Sequence, residues 1–337
     1  MKVDVIVLTY GEPAQPDFMI QWEYSNRILY KLTRLVAPIP KVAVPLVGAY
    51  RGWKRQRQWR QENFRSPMEE ITQRQADIIR ENLHQRQDGH QWTVHVAYEF
   101  RDPSLHETLE KIEKEGTDVL IFALMYVPIS DFTSGISERD WKAYTQSRTT
   151  TLPEPRAVVL RPYLKTVSGI MADVLRNRLD QQGMTVEERK QAGLLLGCHG
   201  TVIHPPSGIR DTGYRDITHL YQHLEEELKE EFKAVAIGWQ NHRLGGEWTT
   251  PTLQDSARQM QEQGIRKFVY FSFGFAADNA ETRLEVRLLL RECGIEDFVH
   301  VPCLNEDRTF LAFMSERIVQ SLEEPAGGKK SSEVEAA

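Results

Sequence analysis

The chain has 337 residues, enough for two domains of ordinary size. With 40% hydrophobic residues and a net charge of −6, it suits a globular protein and argues against a general nucleic-acid binder. Its three cysteines, Cys198, Cys293 and Cys303, form no CxxC pair and no even framework, which excludes a zinc ribbon or disulfide scaffold and fits a reducing compartment.

Residues 3–9 are a short β-branched run, the expected first strand of an α/β domain. The run leaves through Tyr10-Gly11-Glu12-Pro13, where the glycine permits close backbone approach and the proline stops any helix. Residues 18–59 mix Phe18, Met19, Trp22, Ile28 and Leu32 with Arg27, Lys31 and Arg34, and Pro38, Pro40 and Pro45 break up the apolar residues after them. This basic, aromatic-rich stretch fits either a core helix with solvated lysines or a segment resting on a membrane surface. Ser66-Pro67-Met68-Glu69 reads as a capping box, with Ser66 as N-cap, Pro67 at the first helical position and Glu69 closing it. Residues 92–100 alternate as a strand, Ser104 opens a helix that Gly116 ends, and residues 119–126 are a buried strand. Strand and helix in series predict a parallel sheet with right-handed crossovers.

The connector from Thr149 to Pro155 is the predicted boundary, with Val158-Val159-Leu160 beginning a second unit. The expected domains are 1–155, joined by a closing helix over 305–322, and 156–304. Residues 323–337 are too poor in apolar side chains to bury a core and are expected to be disordered. The chain opens directly into a strand without a signal sequence, and no apolar run is long enough to span a bilayer.

Two stretches in the second unit carry chemistry. Leu194-Leu195-Leu196-Gly197-Cys198 reads as a strand buried on both faces, and His199 stands at its carboxyl end, the edge where ligands bind in open parallel sheets. A histidine capping the following loop would read the same way. Residues 267–275 form another buried run, ending in the helix-starting signal Asp278-Asn279. Glu281 and Glu285 come next, four apart and on one helical face. A histidine and carboxylates from two strand ends would make an N/O site suited to a divalent ion such as iron(II). No GxGxxG or Walker A run follows the first strand, which disfavours a nucleotide-binding protein.

These motifs together resemble the ferrochelatase family. Gly197-Cys198-His199-Gly200-Thr201-Val202 stands where that family has Ser-Ala-His-Ser-Leu-Pro, and Gly238-Trp239-Gln240-Asn241 where it has Trp-Gln-Ser. Asp278-Asn279-Ala280-Glu281-Thr282 matches Asp-His-x-Glu-Thr, and Asn63-Phe64-Arg65-Ser66-Pro67 matches Gly-Gly-x-Ser-Pro. Tyr10-Gly11-Glu12-Pro13 keeps the amino-terminal Tyr-Gly-x-Pro of one branch. The matches run in order from Val3 to Val319.

The resemblance implies two Rossmann-like α/β domains, each a parallel sheet flanked by helices, clasping a porphyrin. It implies insertion of ferrous iron into protoporphyrin IX or coproporphyrin III in haem biosynthesis. His199 and Glu281 would be catalytic, and His199, Glu281 and Glu285 would handle the metal. Tyr10, Ser66, Pro67, Tyr214 and Trp239 would line the porphyrin pocket, although core packing explains Trp239 as well. Iron and porphyrin are then substrates. No prosthetic group is expected, and the cysteines are too few and wrongly spaced for the iron–sulfur cluster of animal-type members. A monomer in the cytoplasm is expected, with peripheral membrane contact through the 18–59 lip.

The departures are specific. His199 is followed by Gly200-Thr201, Asn279 replaces a histidine, Ile129 stands where one branch has another, and Leu289 occupies a place acidic in some members. His204 is new, either a second ligand or an exposed side chain. Arg283 and Arg287 enter the Glu281 helix, where they would either repel an approaching cation or face water and pair with Glu292 or Asp278.

Overall fold

The computed structural model describes residues 1–37, 39–206, 208–241 and 246–323. Of the 323–337 tail expected to be disordered, residues 324–337, like Pro38, lie outside the described residues. The chain forms two compact units, Met1–Pro162 with the segment from Glu306, and Tyr163–Asn305.

The first unit is built on a parallel sheet of four strands in the order β2-β1-β3-β4. These are β1 (Lys2–Thr9), β2 (Gln91–Tyr98), β3 (Val119–Leu124) and β4 (Arg156–Val158). β1 is central and buried from Val3 onward, which is why it reads as one apolar run. β4 corrects the expected boundary. Residues 156–158 do not open the second unit; they pair with β3 in the register Ile121↔Arg156 and finish the first sheet's edge. The 149–155 connector therefore runs within the first unit.

Helix Leu105–Glu115 has the predicted start, a reciprocal capping box between Ser104 and Glu107, and Gly116 follows it with φ +72°. The helix Arg308–Gln320, whose N-cap Asp307 accepts the Phe310 N–H at 2.9 Å, lies on helix Met68–His84, where Asn82 Nδ2 donates to Ser315 Oγ at 3.1 Å.

Residues 18–61 fold as two packed helices, Phe18–Ile28 and Val44–Gln61, with a π turn at Leu29–Thr33 between them. Pro45 corrects another expectation: it sits in the first turn of the second helix, where its missing N–H costs no bond, so it starts that helix rather than breaking it. Met19, Val42, Leu46, Tyr50 and Trp53 are exposed, Val42 to 87%.

Beside β1, Glu99 is buried after the end of β2. Ser137 Oγ donates to its Oε1 at 2.7 Å, and Lys31 Nζ lies 3.8 Å from its Oε2. Desolvation, only partly offset by Lys31, pushes this carboxyl up to about 7 from 4.5. The folded state therefore holds a proton that the unfolded chain releases, and the stability tied to that proton falls as pH rises from 4.5 to about 7. Thermal melts across this window should show a shallower decline for Glu99→Gln than for wild type. Identical slopes would rule out Glu99 as their source.

The second unit repeats the topology, with strand order β6-β5-β7-β8 and every pairing parallel. The strands are β5 (Ala192–His199), β6 (Ala234–Gln240), β7 (Lys267–Phe271) and β8 (Val299–Val301). Helices Leu164–Gln181, Tyr214–Leu228 and Leu253–Glu262 belong to the same unit. β5 is central and buried up to Cys198, with only His199 exposed at its end. Gly197 is required there, since a Cβ would lie 2.1 Å from the Tyr270 hydroxyl. Among the described residues, no helix is long and apolar enough to cross a membrane.

Candidate functional site

β5 delivers His199 to the carboxyl edge of the second sheet. The segment after β7 delivers Glu281 to the same place. His199 Nδ1 and Glu281 Oε1 are 2.7 Å apart, with the imidazole 43% exposed and the glutamate 16%. Burial opposes protonation of His199, but the Glu281 charge and hydrogen bond, and then the Glu285 charge, outweigh it and raise the imidazole above its ordinary value. Both glutamates thus act on His199.

Among the described residues, no group of three or more His, Cys, Asp or Glu side chains is gathered closely enough to hold a metal ion. His199, Glu281 and Glu285 therefore do not form a closed ligand set. The site is a contacting pair with a third charge nearby.

Trp239 is buried at the end of β6, in register with Cys198. Its ring stacks on Tyr214 at 5.8 Å and 20°, and Tyr214 is 49% exposed at the start of helix Tyr214–Leu228. The two residues form one aromatic wall, with Trp239 as its packed inner layer. The loop after His199 is fixed by Asn241. Gly200 N–H bonds to the Gln240 carbonyl at 2.8 Å, and Asn241 Nδ2 donates to the Thr249 carbonyl at 2.7 Å. A Cβ on Gly200 would lie 1.8 Å from Asn241 Oδ1. The departures from the family's Ser at each of these positions fit one another: where Asn241 is larger, Gly200 is smaller.

His204 is exposed and 3.7 Å from Glu247, far enough into solvent to be a surface side chain. Arg283 donates to the buried Asp278 at 3.1 Å, which directs its charge to the base of the helix. Leu289 packs against the core around Tyr270 and Leu290.

In the first unit, Tyr10 caps the core. Its ring stacks on Phe100 at 5.3 Å and lies 5.0 Å from Tyr126, and its hydroxyl donates to the Phe132 carbonyl at 2.7 Å. Ser66 and Pro67 depart from the predicted capping box. The helix begins at Met68 with Pro67 in the cap position; Ser66 Oγ accepts only the Met68 N–H, at 3.4 Å, and Glu69 does not close the box but accepts from Arg101 Nε at 2.9 Å. The buried Glu12 carboxylate takes the Ser66 hydroxyl, a charge-assisted bond stronger than one from a backbone N–H. Ser66 N–H also bonds the Ala14 carbonyl at 3.2 Å, pinning the 10–14 turn to the start of this helix. Sequence reasoning missed Glu12 and Asn241; the only signal for either was a size or charge change inside a family motif.

Residues 2–322 match the ferrochelatase family. The chain belongs to that family, as a divergent member, and is an enzyme that inserts a metal ion into a tetrapyrrole. It is 25% identical over 330 residues to the ferrochelatase of Synechococcus elongatus, covering 96% of this chain and 84% of that protein. It is also 25% identical over 342 residues to the ferrochelatase of Rippkaea orientalis, with the same coverage. Two solved structures share the fold. CbiX, described as the terminal enzyme for biosynthesis of siroheme in denitrifying bacteria, superposes with a TM-score of 0.51 at 13% identity over 94% of this chain and 98% of its own. SirB from Bacillus subtilis with Fe3+ gives 0.51 at 9% identity over 95% and 96%.

Proposed function

We propose that the protein inserts ferrous iron into a porphyrin, protoporphyrin IX or coproporphyrin III, as a step of haem formation. The observation that carries this reading is the His199–Glu281 pair at 2.7 Å with Glu285 acting on the same imidazole. Metallation removes two pyrrole protons and strips water from the ion. The Glu281 carboxylate orients the His199 ring through Nδ1 and raises its basicity, which favours proton uptake from a pyrrole N–H. Glu281 and Glu285 supply hard oxygen donors for the incoming cation, and an open pair suits an ion in transit, since the porphyrin nitrogens provide its final ligands. A bent ring exposes those nitrogens, so binding the bent form more tightly than the planar one lowers the barrier. Tyr10, Ser66, Pro67, Tyr214 and Trp239 are assigned to the porphyrin.

The enzyme works as a monomer, in the cytoplasm and without a prosthetic group. The exposed Val42, Leu46, Tyr50 and Trp53, beside the exposed Lys54 and Arg60, touch an anionic membrane surface from which an apolar porphyrin arrives. The departures at Gly200 and Asn279 favour one rival, a paralogue that binds a tetrapyrrole or inserts another metal. Purified protein should be assayed with Fe²⁺, Zn²⁺ and Co²⁺ on protoporphyrin IX, coproporphyrin III and sirohydrochlorin, with and without phosphatidylglycerol vesicles. Iron insertion into either porphyrin and co-sedimentation with the vesicles are expected. Turnover only with another metal or only on sirohydrochlorin would establish the rival, and protein left in the supernatant would remove the membrane contact.

A further inference from the structure

The helix that carries Glu281 and Glu285 does not begin as an α-helix. Glu281–Glu285 is a π turn in which the Val286 N–H bonds back to the Glu281 carbonyl, and the α-helix resumes over Val286–Glu292. Single π turns are uncommon and concentrate at functional sites. This one is held from three directions. Asn279 and Thr282 cap each other, Asn279 N–H to Thr282 Oγ1 and Thr282 N–H to Asn279 Oδ1, both at 3.0 Å. Beneath them, the fully buried Asp278 accepts from Thr282 Oγ1 at 3.2 Å, the Cys303 N–H at 3.1 Å and Asn305 Nδ2 at 3.0 Å.

The third hold comes from the neighbouring strand. His300 on β8 places Nε2 2.9 Å from the Thr282 carbonyl oxygen. A carbonyl only accepts, so Nε2 carries the hydrogen. Burial lowers the pKa of His300, which makes it a neutral donor at neutral pH. Its ring stacks on Tyr270 at 5.9 Å and 26°, which fixes the direction in which that hydrogen points.

We infer that His300 is a positioning residue for metal delivery: its bond to the Thr282 carbonyl fixes the π turn in the register that turns both Glu281 and Glu285 toward His199. An α-helical turn in the same place would carry Glu285 around the axis relative to Glu281. The inference rests on the reading of the two glutamates as metal carriers.

The test compares His300→Phe, which keeps the ring on Tyr270 and loses the donor, with His300→Gln, which keeps a donor and loses the ring. His300→Met is a second donorless variant, should the phenylalanine fail to fold. The donorless variants should raise the KM for the metal about five- to tenfold, the worth of one hydrogen bond, with porphyrin KM unchanged. The glutamine should stay near the wild-type metal KM. A purely structural role would instead lower kcat in proportion to folded protein and leave the metal KM alone, and that result overturns the inference. Equal impairment of Gln and Phe overturns it as well, since ring packing would then be responsible. If the wild type metallates no porphyrin, the functional reading fails by itself; calorimetric Co²⁺ binding to the same proteins still reports on His300, and equal Co²⁺ affinity across the set overturns the inference.

Discussion

His199→Ala should lower kcat for metallation by on the order of 10²–10⁴-fold, the usual contribution of a positioned acid–base group, and leave porphyrin affinity within about twofold. The expectation rests on where the imidazole sits. It is the last residue of β5 and 43% exposed, with Nδ1 2.7 Å from Glu281. Its removal leaves no large cavity in the core, because the packed residue of that strand end is Cys198. The damage should therefore appear in turnover and not in melting temperature. Porphyrin binding, read by quenching of intrinsic fluorescence, separates the two effects. Near wild-type turnover in His199→Ala would show that protons leave the porphyrin by another route.

Gly200→Ser, which restores the residue the family carries at this point, should damage this protein. The new Cβ would meet Asn241 Oδ1 at 1.8 Å, so either the loop after His199 or the Asn241 side chain must move. Overpacking of this kind costs about 1–3 kcal/mol, and because the displaced loop begins at His199, activity should fall along with the urea midpoint. Asn241→Ser alone should also destabilise, through loss of the bond from Asn241 Nδ2 to the Thr249 carbonyl. The double change removes the clash, so it should be milder than the sum of the singles, with a coupling of about 1 kcal/mol or more. Strict additivity would mean that the loop absorbs the serine without touching Asn241.

The central strands were legible because a strand buried on both faces leaves an unbroken apolar signature, as in residues 3–8 and 192–198. The pairing of His199 with Glu281 was legible because one ends such a strand and the other opens the helix that follows its neighbour. The edge strand β4 was not: three residues are too few for a period, and only its partner β3 shows which sheet it joins. The π turn was hidden for another reason. Four residues fall near one face in either turn, just past a full turn in an α-helix and just short of one in a π turn, so the Glu281–Glu285 spacing alone does not reveal which is present. Ser66 misled because Ser-Pro-x-Glu is a sound cap locally, and the carboxylate that captures its hydroxyl comes from Glu12, far away in the chain.

The helix Arg308–Gln320 belongs to the unit whose strands were complete at Val158, with all of Tyr163–Asn305 placed between. On the ribosome, the first sheet and helix Met68–His84 are thus made early but wait for the buried faces of Leu311, Met314 and Ile318 until synthesis passes residue 320. The second unit has every strand and helix it needs before that moment. Its folding can run ahead while the first-made unit stays open, leaving apolar surface for chaperones to shield. The unit translated first is thus the last to receive all of its elements.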